Sequence, residues 1–473
     1  MGELNVDEHS AANSVAPILE LQDLLLTEVK AADFPATDLR FRNDKAAVDV
    51  GLDTLTEQQW VAHFGRFEPL PDNLPNPYAM AYHGHQFRTY NPDIGDGRGF
   101  LFAQLRDQTG RLMDLGTKGS GTTPYSRSGD GRLTLKGAFR EILATEMLEA
   151  LGVLTSRTLS VIETGEQLFR QDEPSPARSA VLVRLNHGHI RFGTFQRLMA
   201  LGDDAGLRRL LSYAARTYFP AIDPDDASAF LGAVCERMAT MTAQLMAAGF
   251  VHGVLNTDNM NITGECFDYG PWRFAPTGDP ALTAAYFDYN GLYAFGRQPE
   301  AMYWNVAALA HALGPLADQQ QLKDALERFP DLYAEAFGEA VFRRLGLEGG
   351  RTTAHKRMAG DLLAFIHEHE LPFEQVLFDL FGGTAGAFKR ERSPHADVYR
   401  GAAIVEAIDR ETPVATERLS HDLFQGGAPQ TMLIDEVEAL WSSIAEKDDW
   451  QPFYEKIEAV RLYGEALNIS VTP

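Results

Sequence analysis

Between Ala229 and Gly249 apolar residues return every three or four positions, with Leu231, Val234, Met238, Met241 and Leu245 on one stripe. That period predicts an amphipathic helix, and Gly249 is placed to stop it. Phe139, Leu143, Met147 and Leu151 form a second stripe, predicting a helix from about Leu135 to Leu151 with Gly152 beyond it. Phe100 to Leu105, Leu112 to Lys118 and Ala180 to Asn186 read as strands, the last with Val181, Val183 and Leu185 on the face opposite Leu182 and Arg184. From Glu300 to Leu313, and in further segments to about residue 465, helical periods alternate with Gly and Pro breaks. Residues 1–35 are polar apart from Leu19 to Leu26 and read as a tail that partly docks. The expected architecture is α+β, with that tail, a sheet-bearing unit over 36–195 and a largely helical unit over 196–473.

A length of 473 residues suits two large lobes better than one small core. The formal net charge of −24 repels nucleic acid and anionic membrane alike, so neither is an expected partner, and a bound anion needs a local cationic site. The window from Arg111 to Arg140 offers one, setting Arg111, Lys118, Arg127, Arg132, Lys136 and Arg140 against Asp114 and Asp130; a solvated basic face fits the same residues. Cys235 and Cys266 form neither a CxxC pair nor a disulfide framework, which suits a reducing compartment. No apolar run approaches the roughly 18 residues of a membrane span. Glu3, Asp7 and Glu8 stand where a signal sequence would carry positive charge, so a cytoplasmic protein is expected.

Candidate chemistry gathers in the loops. Gly95-Asp96-Gly97-Arg98-Gly99 precedes a strand, where bare glycine lets backbone approach a ligand and Arg98 adds charge for phosphate; such runs are also plain turns. Ser120 to Arg132 holds a second Gly-Asp-Gly-Arg, with Asp130 and Gly131 at its centre. It suits either a wrap around a triphosphate or a surface loop. Lys118 ends a strand, and Glu141 lies in the first turns of the next helix. In kinase folds such a lysine reaches the nucleotide phosphates and such a glutamate holds it, although two surface residues fit the spacing too. Arg184 and Arg191 suit a bidentate phosphate clamp or pairing with acidic neighbours.

The run from His252 to Asn259 (His-Gly-Val-Leu-Asn-Thr-Asp-Asn) follows the Gly249 stop, and Asp268-Tyr269-Gly270 comes soon after. Met260 to Thr263 and Cys266 to Asp268, about the turn Gly264-Glu265, predict a hairpin that returns Asp268 beside Asn259. There a carboxylate and a carboxamide suit a divalent cation held against phosphate oxygens. Helix, polar loop, hairpin and Asp-x-Gly is the order of metal-binding elements in kinase-like folds, whose loop carries a basic Asp where this chain has Val254. Valine accepts no proton, so Asp258 is the nearest replacement. Asp258 and Asn259 equally suit a capped Asx turn.

Gly84-His85-Gln86-Phe87, the run at 95–99, Thr122 to Arg132, His189-Ile190-Arg191-Phe192-Gly193, His252 to Asn259, Asp268-Tyr269-Gly270 and Gln298-Pro299 through Trp304-Asn305 together resemble the selenoprotein O family, also called YdiU. The resemblance spans roughly residues 79–315. It implies a protein-kinase-like two-lobed fold that binds ATP in an inverted orientation. The implied reaction transfers AMP to Tyr, Ser or Thr hydroxyls of proteins, self-modification included, and releases pyrophosphate. By position it implies that Lys118, Arg184 and Arg191 hold the phosphates and that Gly95, Gly97, Arg98, Asp130, Gly131 and Asp268 line the nucleotide. It further implies that Asn259 and Asp268 bind Mg²⁺ or Mn²⁺, that Asp258 is the catalytic base and that Glu141 orients Lys118. The chain departs from the family in having neither a C-terminal cysteine or selenocysteine nor an Asn-Pro-Lys segment before Pro473, so no redox switch is expected there. Two other readings share the site. One is a kinase-like phosphotransferase, which Val254 opposes; the other is a non-catalytic ATP-binding scaffold.

Overall fold

Strict alternation along Ala177–Asn186 puts Val181, Val183 and Leu185 into one apolar core and Ala180 and Leu182 into another, so both faces of this strand are buried. The computed structural model describes residues 16–171, 173–414 and 416–469; Glu3, Asp7, Glu8 and the chain's end at Pro473 lie outside them. Its strands are β1 (Leu26–Glu28), β2 (Asp38–Arg42), β3 (Tyr78–Met80), β4 (Gly84–Gln86), β5 (Thr89–Asn91), β6 (Leu101–Arg106), β7 (Leu112–Lys118), β8 (Leu133–Thr134), β9 (Arg157–Leu168), β10 (Ala177–Asn186), β11 (Phe250–Val251) and β12 (Arg273–Phe274). Eight of them form one antiparallel sheet in the order β1-β3-β6-β7-β10-β9-β2, with β8 also on β10. The β4–β5 hairpin and the β11–β12 pair stand apart from it. The register of β10 on β7 sets Arg184 opposite Gly116 and Leu182 opposite Lys118. Side chains two apart share a face, so Asp114, Gly116 and Lys118 lie on the same side of the sheet as Arg184.

That side is covered by the helix Leu135–Ala150, whose first turn is capped by Thr134 Oγ1 accepting from Gly137 N at 3.2 Å. The helix Ala227–Ala247 starts on Asp226, which accepts from Ser228 N and Ala229 N. It ends as Gly249 takes φ +64°, turning the chain into β11 and the polar loop beyond. The remainder is helical, beginning with Gln298–Leu313, and among the described residues no helix is long and apolar enough to cross a membrane. The last two helices, Ile434–Lys447 and Gln451–Leu467, fold back onto Leu135–Ala150. Trp441 and Phe453 pack their rings 5.5 and 5.3 Å from that of Phe139.

The hairpin expected over 260–268 does not form. Gly264 N donates to Asn261 O at 3.1 Å, so the turn exists, but its legs pair outward: Asn261 bridges to Arg191 and Cys266 to Thr155. The segment is wedged between the chain leaving β10 and the chain entering β9, and its buried backbone groups find partners there instead of in each other. Asp268, at φ +51°, lines the same cavity as Asn259.

Candidate active site

Between the sheet and the helical part lies a cavity of about 750 Å³. Gly95, Gly97, Arg98, Lys118, Asp130, Gly131, Arg184, Arg191, Asp258, Asn259 and Asp268 all line it, drawn from segments up to 173 residues apart in the chain, from 95 to 268. Glu141 stands one layer behind, where its Oε2 accepts from Lys118 Nζ at 2.6 Å. The glycine runs meet one another as well as the cavity. A Cβ on Gly95 would lie 2.5 Å from the Tyr125 ring and one on Gly97 3.0 Å from Tyr125 O, so bare glycine lets the 95–99 loop close on the 120–132 loop. Ser126 Oγ donates to Gly97 O at 2.5 Å and Thr123 Oγ1 to Asp96 O at 2.6 Å, completing the seam.

The basic window of 111–140 does not form one patch. Strand and helix periods turn its members to different faces: Lys118, Arg127 and Arg132 reach this cavity, Arg111 pairs with Asp107 at 2.7 Å, and Lys136 pairs with Glu438 at 2.7 Å. Within the cavity Arg132 pairs with Glu166, and Asp130 is gripped bidentately by Arg170. Arg98 and Arg127 have no ion pair among the described residues, and both side chains are exposed at the cavity wall.

Asp268 is the acidic group on which the cavity's cations converge. Arg184 Nη1 donates to its Oδ1, Arg191 Nη1 donates to its Oδ2, and Lys118 Nζ is 3.4 Å away. Burial alone would push this carboxyl up, yet the three cations hold it well below the usual carboxylate range. Arg191 stacks on Tyr82 and Phe267, and its Nη1 also donates to Asp258 O at 2.8 Å. Arg184 is aimed from behind. Its Nε donates to His189 Nε2 at 3.3 Å, His189 Nδ1 lies 3.3 Å from Asp114 Oδ2, and Asp114 Oδ1 accepts from Gln104 Nε2 at 2.7 Å. Accepting from Arg184 at Nε2 fixes the neutral tautomer with its hydrogen on Nδ1, and burial holds the imidazole below its ordinary pKa. A Cβ on Gly116 would overlap this ring.

Asp258 sits in the 3₁₀ turn Thr257–Asn259. Burial pushes its carboxyl up to about 6, against the hydrogen bond that Gln86 Nε2 gives its Oδ2 at 3.1 Å. Its Oδ1 is buried with no hydrogen-bond partner among the described residues. A buried carboxylate oxygen without a partner is able to accept a proton. Val254 lines the same cavity against Gly270, with no atom able to take a proton. His252 is structural: its Nε2 meets Phe267 O at 3.2 Å, its Nδ1 accepts from Val254 N at 3.4 Å, and burial lowers it to about 4.

Asn259 Nδ2 donates to Val254 O at 3.0 Å, which leaves Oδ1 as the atom able to ligate. With Asp268 this makes a two-residue oxygen donor set, and among the described residues no group of three or more His, Cys, Asp or Glu stands ready for a metal. Two oxygen ligands fit a hard cation that arrives on nucleotide phosphates. Sequence reasoning passed over Gln86, Asp96, Tyr125 and Arg170, all of which line the cavity. The first three lie inside runs whose glycines and arginines drew the attention, whereas Arg170, at the tip between β9 and β10, has no sequence signal.

Three cations converging on one carboxylate, a second carboxylate with a free oxygen, and two loops that close on each other at the cavity suit a nucleotide-using transferase. Residues 10–461 match the family described as Protein adenylyltransferase SelO, and the chain belongs to that family. It is similar to the Protein nucleotidyltransferase YdiU of Synechocystis sp., 40% identical over 471 residues that cover 94% of this chain and 97% of the relative. The protein of the same name from a Synechococcus sp. is 49% identical over 454 residues, covering 90% of each chain. That of Gloeobacter violaceus is 42% identical over 455 residues, covering 92% of each.

Proposed function

We propose that this protein transfers AMP from ATP to Tyr, Ser or Thr hydroxyls of proteins, its own among them, with Mg²⁺ or Mn²⁺, in a kinase-like two-lobed frame. The observation that carries the reading is Asp258: a buried carboxylate with one unpaired oxygen, sharing a cavity with the Lys118–Glu141 pair and with Arg184 and Arg191. Family membership supports ATP as the substrate. Two buried free cysteines suit the reducing cytoplasm.

On this reading Lys118, Arg184 and Arg191 give up Asp268 and take phosphate oxygens, while Arg98 and Arg127 supply further charge from the cavity wall. Asn259 Oδ1 and Asp268 would hold the cation, which when bound polarises the phosphate oxygens. Asp258 Oδ1 accepts the acceptor's hydroxyl proton as the oxygen attacks the α-phosphorus. The bond from that phosphorus to the bridging oxygen breaks, and the two arginines stabilise the charge of the departing pyrophosphate.

Intact-mass and gel analysis with divalent metal and ATP labelled separately at the α and γ positions tests this. Label enters protein from the α position alone, and Asp258→Ala lowers the rate about 10²–10⁴-fold while ATP affinity holds. Label from the γ position would establish a phosphotransferase instead. Tight ATP binding with no labelling from either position would leave a scaffold.

A further inference from the structure

The β4–β5 hairpin and the loop carrying Asp258 are 172 residues apart in sequence, yet they are bonded side by side. Phe87 N donates to Asn256 Oδ1 at 3.0 Å, His85 N to Thr257 Oγ1 at 2.7 Å, and Gln86 Nε2 to Asp258 Oδ2 at 3.1 Å. Consecutive residues of one element therefore hold consecutive residues of the other. The middle bond belongs to a closed ring: Thr257 Oγ1 donates to Gln196 Oε1 at 2.7 Å, and Gln196 Nε2 lies 2.9 Å from His85 Nδ1. A Cβ on Gly84 would come 2.9 Å from Asp258 Cβ, so only glycine lets β4 lie flush against the carboxylate's stem.

Gln86 is itself oriented. Asn91 Nδ2 donates to Gln86 Oε1 at 3.0 Å, which turns Nε2 toward Asp258, and Asn91 Oδ1 is occupied by Asp93 N at 2.9 Å. A carboxylate on one Cα–Cβ stem has a broad, nearly two-fold torsion, so nothing intrinsic distinguishes its two oxygens. The Asn91–Gln86 relay does distinguish them. It occupies Oδ2 and leaves Oδ1, on a residue that lines the cavity, buried without a partner.

We propose that Gln86 is a positioning residue for Asp258, fixing the rotation of its carboxylate so that Oδ1 takes the proton of the acceptor hydroxyl. This rests on Asp258 being the base. In the step concerned the acceptor O–H bond breaks with its proton passing to Oδ1, the new O–P bond forms at the α-phosphorus, and pyrophosphate departs with the electrons of the broken P–O bond. Gln86 keeps its protons throughout and acts only through the geometry it imposes.

The test uses the full chain, Mg²⁺ or Mn²⁺, α-labelled ATP and unfolded casein as added acceptor, with labelling of the chain itself followed in parallel. Gln86→Leu lowers kcat at least about 10-fold, yet less than the about 10²–10⁴-fold that a general base contributes. ATP affinity, measured by calorimetry, stays within about twofold, because Gln86 acts through Asp258 and not through the phosphate clamp. Asn91→Asp keeps the bond from Asp93 N but removes the donor to Gln86, and gives a smaller loss of the same kind. In the Asp258→Ala background Gln86→Leu has no further effect, since there is no carboxylate left to orient.

An unchanged kcat in Gln86→Leu overturns the proposal, and so does a loss of ATP affinity in step with kcat, which marks a merely structural glutamine. Full activity in Asp258→Ala removes the base itself, a failure of the underlying reading that the single Gln86 variant does not produce. Absence of any α label in the wild type overturns both.

Discussion

Two carboxylates three residues apart, Glu265 in the interior and Asp268 at the cavity wall, have opposite fates. Asp268 meets Arg184, Arg191 and Lys118 and is held far below the ordinary carboxylate range; Glu265 has one backbone donor, His187 N at 2.6 Å, and burial pushes it up to about 7. For Glu265 the folded-state value exceeds the unfolded one, so the stability it contributes is complete below about 4.5 and is lost as pH rises through about 7. Glu265→Gln therefore flattens the fall in stability between pH 5 and pH 8 by about 3 kcal/mol. Urea denaturation of both proteins at the two pH values measures it, and parallel slopes would show that the carboxyl titrates normally. For Asp268 the concern is its partners. Asp268→Asn leaves three cations facing one another in the cavity and costs about 3–5 kcal/mol in the absence of nucleotide. Inorganic pyrophosphate, offering the charge the variant lacks, raises its melting temperature more than it raises the wild type's. Equal shifts would mean that the cations are neutralised by something other than Asp268.

Elements differ in how far the sequence declares them. The helices at 135–150 and 227–247 and the strand bearing Arg184 follow from period, because their spacing is local, whereas the strand bearing Lys118 is buried almost throughout and does not alternate. Lys118 and Glu141 meet as expected, since a strand and the helix packed upon it leave few other places for the two side chains. The 260–268 segment is misread because a turn with flanking apolar residues does not say which chain its legs pair with. Nothing local announces that β4 will seat Gln86 on Asp258, or that His189 will hold Arg184 through Nε while Gln104 and Asp114 hold His189. Such contacts join segments that only the assembled sheet brings together. The glycine opposite Arg184 in the sheet register gives this relay a test. Gly116→Ala drives a methyl group into His189, releases Arg184 and weakens ATP binding about 10-fold, with kcat at saturating ATP less affected. Calorimetric titration with ATP reads the change; unaltered affinity would show that Arg184 holds its place without the imidazole.

At the scale of the whole molecule the last two helices brace the helix behind the candidate site. Gln451–Leu467 and Ile434–Lys447 pack on Leu135–Ala150, the helix whose Glu141 holds Lys118. Phe453 is wholly buried between Phe41 of β2 and Phe139 of that helix, with ring centroids 6.3 and 5.3 Å away. Arg461 grips Glu146 with two bonds of 2.7 Å, and Tyr454 Oη donates to Arg40 O at 2.8 Å on the sheet's edge strand. Residues more than 300 apart in sequence thus fix the helix from the side facing away from the cavity. A helix clamped on both sides cannot slide, and the Lys118–Glu141 distance of 2.6 Å is set by where it stands. Phe453→Ala removes the wholly buried ring of this brace and costs about 3–5 kcal/mol of stability. If the brace reaches the site, the same variant also binds ATP more weakly at a temperature where it remains fully folded, and Glu141→Gln added to it lowers affinity less than Glu141→Gln does alone. Denaturant melts give the first quantity and calorimetric ATP titration of the four proteins the second. A Phe453→Ala protein that is destabilised but binds ATP with wild-type affinity would confine the brace to stability and leave the lysine's placement to the sheet.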